Sequence, residues 1–386
     1  MAAAQVLIGG YLGYGNLGDE ANLLALLEGL KEHLPEVEPV VLSAAPARTA
    51  RDYGVRAISR WNLSAIWREL GRSQLLVLSG GGLIQDRTSR RSALYYLGLV
   101  RLAQLRRRGV FLLGQGLGPL QSPPLVRLAR SWLRRADYIM VRDEKSLELL
   151  RGWGLQEVED KDKDRLTRGY DLALALAVEP EPKPESEPEG VLMVALREAF
   201  WGSRARRAEA IGELAAALVE AQRRWGLRVA FFPLHPQRDL GLIEEVRRAM
   251  LHLQGVGTGA ESLLLDPSEL GVPEALKVVA QARLLLGMRL HALEFALIAG
   301  VPFIALSYDP KVEEFLKLVH EVAALELPLL DLAELSRERL VGALARLMEE
   351  QEALREELQG CAARLRELAR ASLAEACERM GRFLTG

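Results

Sequence analysis

Residues 5–27 read QVLIGGYLGYGNLGDEANLLALL, which places a short apolar strand, a glycine-rich turn and an apolar helix in direct succession. Four further apolar runs, PVVLS, QLLVLSGG, GVFLLGQG and YIMVRD, follow in the first half with helical stretches between them. Near-continuous apolar strands are typical of a parallel sheet that helices cover on both faces. The first half is therefore predicted to form a doubly wound α/β domain.

The same alternation returns after residues 179–190, EPEPKPESEPEG, which we expect to form an extended, solvated linker. Beyond it, VLMVALR, RVAFFPL, RLLLGM and VPFIALS alternate with helical stretches. We predict an acceptor-side α/β domain at 1–178, this linker, a donor-binding α/β domain at 191–350 and a helical tail at 351–386. The predicted fold class is α/β, with two Rossmann-like doubly wound domains facing a cleft and ligands outside the carboxyl ends of the strands.

The composition excludes several classes of protein. The chain has 386 residues, of which 49% are apolar, and its net charge of -2 indicates no nucleic-acid partner. Two cysteines allow neither a disulfide scaffold nor a four-thiolate metal site, so we expect a reducing, cytoplasmic location. No apolar run is long enough for a membrane span, and the first residues are predicted to form a strand rather than a signal peptide.

The turn after the first strand contains G-x-G-x-x-G at residues 13–18, the spacing of a dinucleotide-binding fingerprint. Asp19 and Glu20 follow at once, where a pyrophosphate would need positive charge, and the second strand ends in Ser43 rather than an acidic residue. A cofactor phosphate is therefore disfavoured. For Asp19 two interpretations stay open: a helix cap, or an acceptor of hydrogen bonds from sugar hydroxyls.

Two more loops with glycines follow strands. Gly80, Gly81 and Gly82 stand together before Asp86, and consecutive glycines let a ligand approach the backbone closely. Gln115 lies in a second glycine-rich loop at the same predicted edge of the sheet. We predict substrate contacts here, with a structural turn as the alternative.

From Arg87 to Arg135 the chain has eleven arginines and no Asp, Glu or Lys. On the predicted helix near 124–135, arginines form one stripe and apolar residues another, namely Arg127, Arg130 and Arg134 beside Leu125, Leu128 and Trp132. Such a run is usually a solvated face. Unpaired arginines also attract phosphate groups, so we predict peripheral contact with an anionic membrane or a lipid-pyrophosphate substrate.

In the second half, a strand ends just before Arg289, and a helix is predicted to begin around Leu290 and His291. A helix start presents unpaired N–H groups, and a fixed cation beside them makes an anion site. Arg142 likewise ends the last strand of the first domain, and His235, which follows another strand, is a weaker candidate.

These residues lie in motifs that resemble the polysaccharide pyruvyltransferase family, most closely its CsaB-type members, which modify cell-wall polymers. The motifs are GYGNLGDEA at 13–21, SGGGLIQD at 79–86, GQGLGPL at 114–120, VRDEKS at 141–146 and GMRLHALEFALIAGVPFIALSYDPK at 287–311. The resemblance spans nearly the whole chain and implies a GT-B-like architecture. One departure is Asp171, which Leu172 follows where the family pattern has an Asp-Pro pair.

The resemblance implies a transferase that moves the enolpyruvyl group of phosphoenolpyruvate onto a sugar as a cyclic ketal. It assigns donor binding to Arg142, Arg289, Leu290 and His291, and His291 suits the general acid that protonates the methylene carbon. The acceptor implied is N-acetylmannosamine of a lipid-linked precursor of a secondary cell-wall polymer, which anchors S-layer proteins.

The first domain supplies the polar acceptor candidates Asn16, Asp19 and Asp86, any of which could serve as base, and Asp19 is predicted to be catalytic. We expect neither a metal nor a cofactor. The alternatives are a sugar-nucleotide glycosyltransferase, with Glu294 or Glu313 binding the nucleoside, a nicotinamide-dependent oxidoreductase, and a non-catalytic sugar-binding or anion-binding protein.

Overall fold

The computed structural model describes residues 4–87, 89–155, 165–178, 190–199, 203–254, 262–265 and 270–385. The chain divides into two compact units: unit 1 contains Met1–Leu176 and Arg366–Gly386, and unit 2 contains Ala177–Leu365. The predicted linker at 179–190 lies outside the described residues except for Gly190. The predicted domain limits therefore stay predictions.

Unit 1 contains a seven-stranded parallel sheet with the strand order β3-β2-β1-β4-β5-β6-β7. Its strands are β1 Gln5–Gly9, β2 Glu38–Ser43, β3 Arg56–Ser59, β4 Leu75–Ser79, β5 Gly109–Gln115, β6 Tyr138–Val141 and β7 Leu166–Arg168. The central strands β1, β4 and β5 are buried along their whole length. This burial explains their near-continuous apolar sequences.

The helices of unit 1 connect these strands in βαβ fashion. They are α1 Leu17–His33, α2 Pro46–Tyr53, α3 Leu63–Arg72, α4 Arg90–Leu105, α5 Pro123–Leu133, α6 Glu144–Gly152 and a 3-10 helix at Leu172–Ala175. Apolar side chains of α3 to α6 pack with those of the sheet into one core. The core fixes the strands, so the loops at their carboxyl ends are held in place.

Unit 2 repeats the arrangement with six parallel strands in the order β10-β9-β8-β11-β12-β13. The strands are β8 Val191–Ala195, β9 Arg228–Phe231, β10 Leu263–Leu264, β11 Leu284–Gly287, β12 Phe303–Ser307 and β13 Leu329–Asp331. The helices are α7 Arg204–Trp225, α8 Pro236–Gln254, α9 Val272–Ala280, α10 Leu290–Ile298, α11 Pro310–Ala323, a 3-10 helix at Leu332–Glu334, α12 Arg337–Glu349 and α13 Gln351–Thr385. The predicted α/β class is confirmed in each unit.

The predicted helical tail is α13, and it is not simply a solvated helix. Its residues up to Leu365 belong to unit 2 and those from Arg366 onward belong to unit 1. Cys361 and Cys377 lie on its buried face, where burial raises their pKa values to about 11 and about 12. Both thiols therefore stay protonated at neutral pH. Among the described helices, none combines the length and apolar character that a bilayer span requires.

Candidate active site

The first sheet reverses its strand order between β1 and β4, because the chain moves outward from β1 to β3 and then returns to β4. Ligands of open parallel sheets bind at such a switch point, outside the carboxyl ends of the strands. The loops there are the glycine-rich turn after β1 and the loop at Gly80–Gly82 after β4. The fold thus brings two predicted substrate loops together.

Asn16 and Asp19 face each other at the start of α1. Asn16 is the N-cap residue, but its side chain donates to the Asp19 carboxylate and makes no cap hydrogen bond. Asp19 is 9% exposed, and burial is the largest cause that raises its pKa to about 7. Glu20 and Asp171 raise this pKa further, whereas the Asn16 hydrogen bond and Arg142 lower it. A carboxyl group that titrates near neutral pH suits a general base. Because Asn16 and not Asp19 is the N-cap residue, the helix-cap interpretation of Asp19 is wrong.

Glu20, the second carboxylate of this turn, holds the loop closed. It accepts hydrogen bonds from the Gly13 N–H at 2.8 Å and from the Tyr53 hydroxyl at 2.9 Å. Both of its oxygens are therefore engaged within unit 1. This leaves Asp19 as the carboxylate of the turn with catalytic potential.

The glycines after β4 have a local structural reason. Gly80 and Gly81 have φ angles of +49° and +75°, in the left-handed region that favours glycine. A Cβ at Gly80 would lie 2.3 Å from Cγ of Asn22, and one at Gly81 would lie 2.7 Å from Oδ1 of Asp19. Close packing against α1 therefore demands glycine at both positions, and substrate contact at Gly80–Gly82 stays a prediction.

Gln115 and Asp86, both predicted to contact substrate, make hydrogen bonds to the backbone. The fully buried Gln115 amide nitrogen donates to the carbonyl oxygens of Leu78 at 3.1 Å and Gly80 at 3.0 Å. Asp86 accepts from the N–H groups of Gln121 at 2.8 Å and Ser122 at 2.7 Å. Both side chains thus support the loops, and their substrate role remains a prediction.

Arg142 directly follows β6, and its side chain is 8% exposed. It forms an ion pair with Asp171, which also accepts from the Ala173 N–H at 3.2 Å. A Cβ at Gly116 would lie 2.8 Å from Arg142 Nε, so the guanidinium packs against the glycine-rich loop after β5. Asp171, noted from sequence only as a departure from the family pattern, is thus the residue that pairs with Arg142.

The second sheet has its switch point between β8 and β11. Arg289 follows β11 as the N-cap residue of α10, and its Nε donates to Asp239 Oδ2 at 2.7 Å while Nη2 contacts Oδ1. Asp239 is fully buried and also accepts from the His235 N–H at 2.9 Å. This bidentate pairing with Asp239 orients the Arg289 guanidinium. It leaves Nη1 of Arg289 without a hydrogen bond to any described residue.

Arg197, which no sequence motif indicated, follows β8 at the same switch point. Its Nη1 donates to the Tyr308 hydroxyl at 2.5 Å, and its guanidinium lies 5.0 Å from the Tyr308 ring centroid. Over the described part of the chain it has no ion-pair partner. The sequence could have indicated Arg197, since it follows a predicted strand closely, as Arg142 does.

The pKa of His235 is lowered by its surroundings, which include three arginines. Burial is the largest cause that lowers its pKa to about 4, and Arg289, Arg238 and Arg197 lower it further. The imidazole is therefore neutral at neutral pH and unsuited to act as a general acid there. Three arginines close enough to act on His235, of which only Arg289 is paired with the buried Asp239, make this edge of unit 2 suited to an anion.

Leu290 and His291 form the first turn of α10. Leu290 is 6% exposed, whereas the His291 side chain is 14% exposed. His291 Nε2 lies 3.8 Å from Glu294 Oε2, one turn further along the helix. The His291 imidazole thus has a carboxylate neighbour, and its role as general acid stays a prediction.

A cavity of about 520 Å³ lies elsewhere in unit 2, lined by Ser307, Glu313, Leu329, Leu330, Asp331, Glu334 and Arg339. Arg339 is already paired with Glu334 at 2.5 Å, so the other acidic groups dominate its walls. A doubly charged anion would be repelled there. Within either unit by itself, the described residues bring no three His, Cys, Asp or Glu groups close enough to share a metal ion.

A family model described as polysaccharide pyruvyl transferase matches residues 16–310. The chain belongs to the polysaccharide pyruvyl transferase family. This match confirms the family that the motifs indicated, and this pyruvyl transferase is therefore an enzyme of the transferase class. No curated protein sequence matches the chain significantly.

Solved structures similar to this pyruvyl transferase include a putative UDP-N-acetylglucosamine 2-epimerase and a UDP-glucosyltransferase. The putative UDP-N-acetylglucosamine 2-epimerase from Listeria monocytogenes is 13% identical with a TM-score of 0.61, over 92% of this chain and 91% of that chain. MnaA of S. aureus, in its structure with UDP, is 12% identical with a TM-score of 0.60 over the same shares. A UDP-glucosyltransferase from Polygonum tinctorium is 14% identical with a TM-score of 0.55 over 99% of both chains. At such identities the likeness shows the fold alone, and it confirms a two-domain, GT-B-like α/β architecture.

Proposed function

We propose that this transferase moves the enolpyruvyl group of phosphoenolpyruvate onto a sugar as a cyclic ketal and releases phosphate. The observation that carries the proposal is the cationic switch point of unit 2, where Arg197 lacks an acidic partner among the described residues and Arg289 retains a free Nη1. Phosphoenolpyruvate carries a carboxylate and a phosphate and so requires two cationic elements. Arg289 and Arg197, with the start of α10, supply them.

The reaction needs one proton donor and one proton acceptor. In the proposal, His291 gives a proton to the methylene carbon, which becomes a methyl group and leaves the central carbon electrophilic. A first sugar hydroxyl bonds to that carbon and loses its proton to Asp19. A second hydroxyl then bonds there as the carbon–oxygen bond to phosphate breaks, and its proton restores His291. The proton on Asp19 leaves with the phosphate.

The remaining predicted residues have supporting roles in this proposal. Arg142 and Leu290 take part in donor binding, as the family resemblance implies. Asn16, Gly80–Gly82, Asp86 and Gln115 shape the loops that receive the acceptor. The loop after β1, which contains Asn16, and the loop at Gly80–Gly82 meet at the switch point of unit 1. Neutral sugar hydroxyls can hydrogen-bond there to carboxylate and backbone groups.

For the acceptor, we propose N-acetylmannosamine in a lipid-linked precursor of a secondary cell-wall polymer, with the product serving S-layer anchoring. The enzyme would then work in the cytoplasm at the inner membrane surface. The arginine-rich stretch from Arg87 to Arg135 supports such a location, since lipid phosphates are anionic.

A sugar-nucleotide glycosyltransferase is the alternative that the fold favours. Glu313, one of its two predicted nucleoside-binding residues, lines the 520 Å³ cavity and accepts from the Ser307 hydroxyl at 3.0 Å. The family match counts against this alternative. Binding of a nucleotide sugar with no binding of phosphoenolpyruvate would favour it.

The test is phosphate release from phosphoenolpyruvate with and without an N-acetylmannosaminyl acceptor. We expect release that depends on the acceptor and falls at least 100-fold in His291→Ala, because proton transfer is lost. Arg289→Ala should weaken phosphoenolpyruvate binding by about 2 kcal/mol, roughly 30-fold, since a charged ligand group loses its partner.

Arg223→Ala, on the far end of α7, is the matched control and should leave binding unchanged. Acceptor-independent release, or normal donor affinity in Arg289→Ala, would contradict the proposal.

A further inference from the structure

Unit 1 exposes large apolar side chains on one pair of helices. Trp61 is 62% exposed, Leu63 64%, Trp67 42%, Leu94 45% and Leu105 56%. All five lie on α3, on α4 or directly before α3. We call the outward surface of these two helices, with Trp61, the α3–α4 face.

Direct contacts make this surface continuous. The Trp61 and Tyr95 rings lie 5.4 Å apart, which joins the start of α3 to α4. At the other end, Arg106 Nη2 donates to the Trp67 carbonyl oxygen at 3.0 Å, and its guanidinium lies 4.2 Å from the Trp67 ring. A Cβ at Gly98, in the middle of α4, would meet nothing within 4 Å. The middle of α4 is therefore open at this position.

The charge of the α3–α4 face is strongly positive. Five arginines on or beside these helices form no ion pair with any described residue, namely Arg68, Arg90, Arg91, Arg101 and Arg107, whereas Arg72 pairs with Glu69. Residues 61–108 contain only two acidic groups, Glu69 and Asp86. Glu69 is buried and bound to Arg56 and Gln5, and Asp86 is bound to backbone N–H groups. Glu69 offsets Arg72, and neither acidic group pairs with the other five arginines.

The neighbouring helix α5 does not present the apolar stripe to lipid that its sequence predicted. Leu125, Leu128 and Trp132, predicted as an apolar stripe available to lipid, pack against the core of unit 1. Arg130 donates from Nε to the Trp153 carbonyl oxygen at 3.1 Å. Exposed apolar groups therefore lie on the α3–α4 face and not on α5, which can add only charge.

We propose that the α3–α4 face rests on an anionic lipid bilayer. Trp61, Leu63, Trp67 and Leu94 enter the headgroup region, and the unpaired arginines contact lipid phosphates. Tryptophan favours the membrane interface because its ring is apolar with one polar N–H group, and arginine pairs with phosphate. Apolar burial and charge together bind more stably than either alone. The biological purpose, reaching a lipid-linked acceptor, rests on the proposed function, whereas the binding itself does not.

The test is co-sedimentation of the full chain with vesicles of phosphatidylglycerol and phosphatidylcholine, compared with phosphatidylcholine alone. We expect binding to the anionic vesicles that weakens at least tenfold in Trp61→Ser/Leu63→Ser, and weaker binding with salt dependence lost in Arg91→Gln/Arg101→Gln. Leu251→Gln/Leu253→Gln is the matched control, since these leucines on α8 are 55% and 47% exposed. The control should bind as the parent protein does.

Equal binding by the parent and both face variants would overturn the proposal, as would an equal loss in the control. A stable dimer without vesicles that separates in Trp61→Ser/Leu63→Ser would also overturn it, because the surface would then join two copies of the chain. Phosphate release with a soluble acceptor should stay unchanged in the face variants. That measurement separates failure of the membrane proposal from failure of the proposed function.

Discussion

The two sheets share one strand order but carry opposite charge at their switch points. In unit 1 the carboxylates of Glu20 and Asp171 lie near Asp19 and raise its pKa, and Arg142 pairs with Asp171. In unit 2 Arg289 pairs with Asp239, and Arg289, Arg238 and Arg197 all help to lower the pKa of His235 after burial. The common topology determines where ligands can bind, and the side chains at each edge determine their charge.

The arginine–aspartate pairs of the two units lie in surroundings of different charge. Arg142 is neutralised by Asp171, and further carboxylates lie nearby, so its pair adds little positive potential. Arg289 is equally bound to Asp239, yet neighbouring cations keep its surroundings positive, as the lowered pKa of His235 indicates. We therefore expect donor binding to depend more on unit 2 and proton removal more on unit 1.

The largest expected effect is that of Asp19→Asn in unit 1. Activity should fall at least 100-fold because the base is removed, and the parent enzyme should gain activity as pH rises through about 7. The measurement is kcat against pH. Asp52→Asn on α2, another unit 1 carboxylate, should keep the parent profile and serves as control.

The same variant should be more stable than the parent enzyme at pH 8. Burial raises the pKa of Asp19 from 3.8 to about 7, so folding favours the protonated form, and stability from this group is lost as pH rises from about 4 to about 7. Three pKa units correspond to about 4 kcal/mol at most. Urea unfolding at pH 8 measures this gain, and a loss of stability there would contradict the assigned pKa.

The next largest effect is expected in unit 2, on the binding of phosphoenolpyruvate. Asp239→Asn removes one of the two oxygens that orient Arg289, so KM for phosphoenolpyruvate should rise about 30-fold while kcat at saturating donor stays within about threefold. A purely structural role would instead lower stability and kcat together. Asp309→Asn, which weakens the cap of α11, is the control for a lost carboxylate.

Arg197→Gln should weaken phosphoenolpyruvate binding about tenfold, or about 1.4 kcal/mol, because one unpaired cation leaves the site. Titration calorimetry measures it directly. Arg224→Gln, whose parent side chain stacks on Trp225 at the end of α7, should bind normally. Unchanged binding in Arg197→Gln would show that Arg197 does not contact the donor.

Sequence patterns predict the buried centre of each sheet better than its edges. All nine predicted strands exist, since β1 and β8, for example, are apolar through burial on both faces. The edge strands β3, β7, β10 and β13 were not predicted, because they are short and partly exposed and so lack a continuous apolar run. Periodicity identifies a strand only where burial imposes it.

The same limit applies to the site. Arg289 and His291 could be predicted because they stand beside each other at one strand end. Asp239 lies 50 residues away on another helix, and its contact with Arg289 exists only once β9 and β11 are placed in the sheet. Charge partners of this kind follow from topology and not from local sequence.

The smallest expected effect concerns the coupling of Asp171 and Arg142 to Asp19. Asp171 raises the pKa of Asp19 and Arg142 lowers it, so substitutions of the two partners should act in opposite directions. Asp171→Asn should move the rise of kcat with pH toward lower pH, and Arg142→Gln should move it toward higher pH.

Because the amide oxygen that Asp171→Asn introduces can still accept from Arg142, the ion pair would become a neutral-acceptor hydrogen bond and activity should change only about threefold. The pH profiles of both variants, compared with that of Asp52→Asn, provide the measurement. If both profiles moved the same way, loss of local structure and not charge would control Asp19. The carboxylate-rich switch point would then have no electrostatic role in proton removal, and the contrast between the two sheets would reduce to the cationic edge of unit 2.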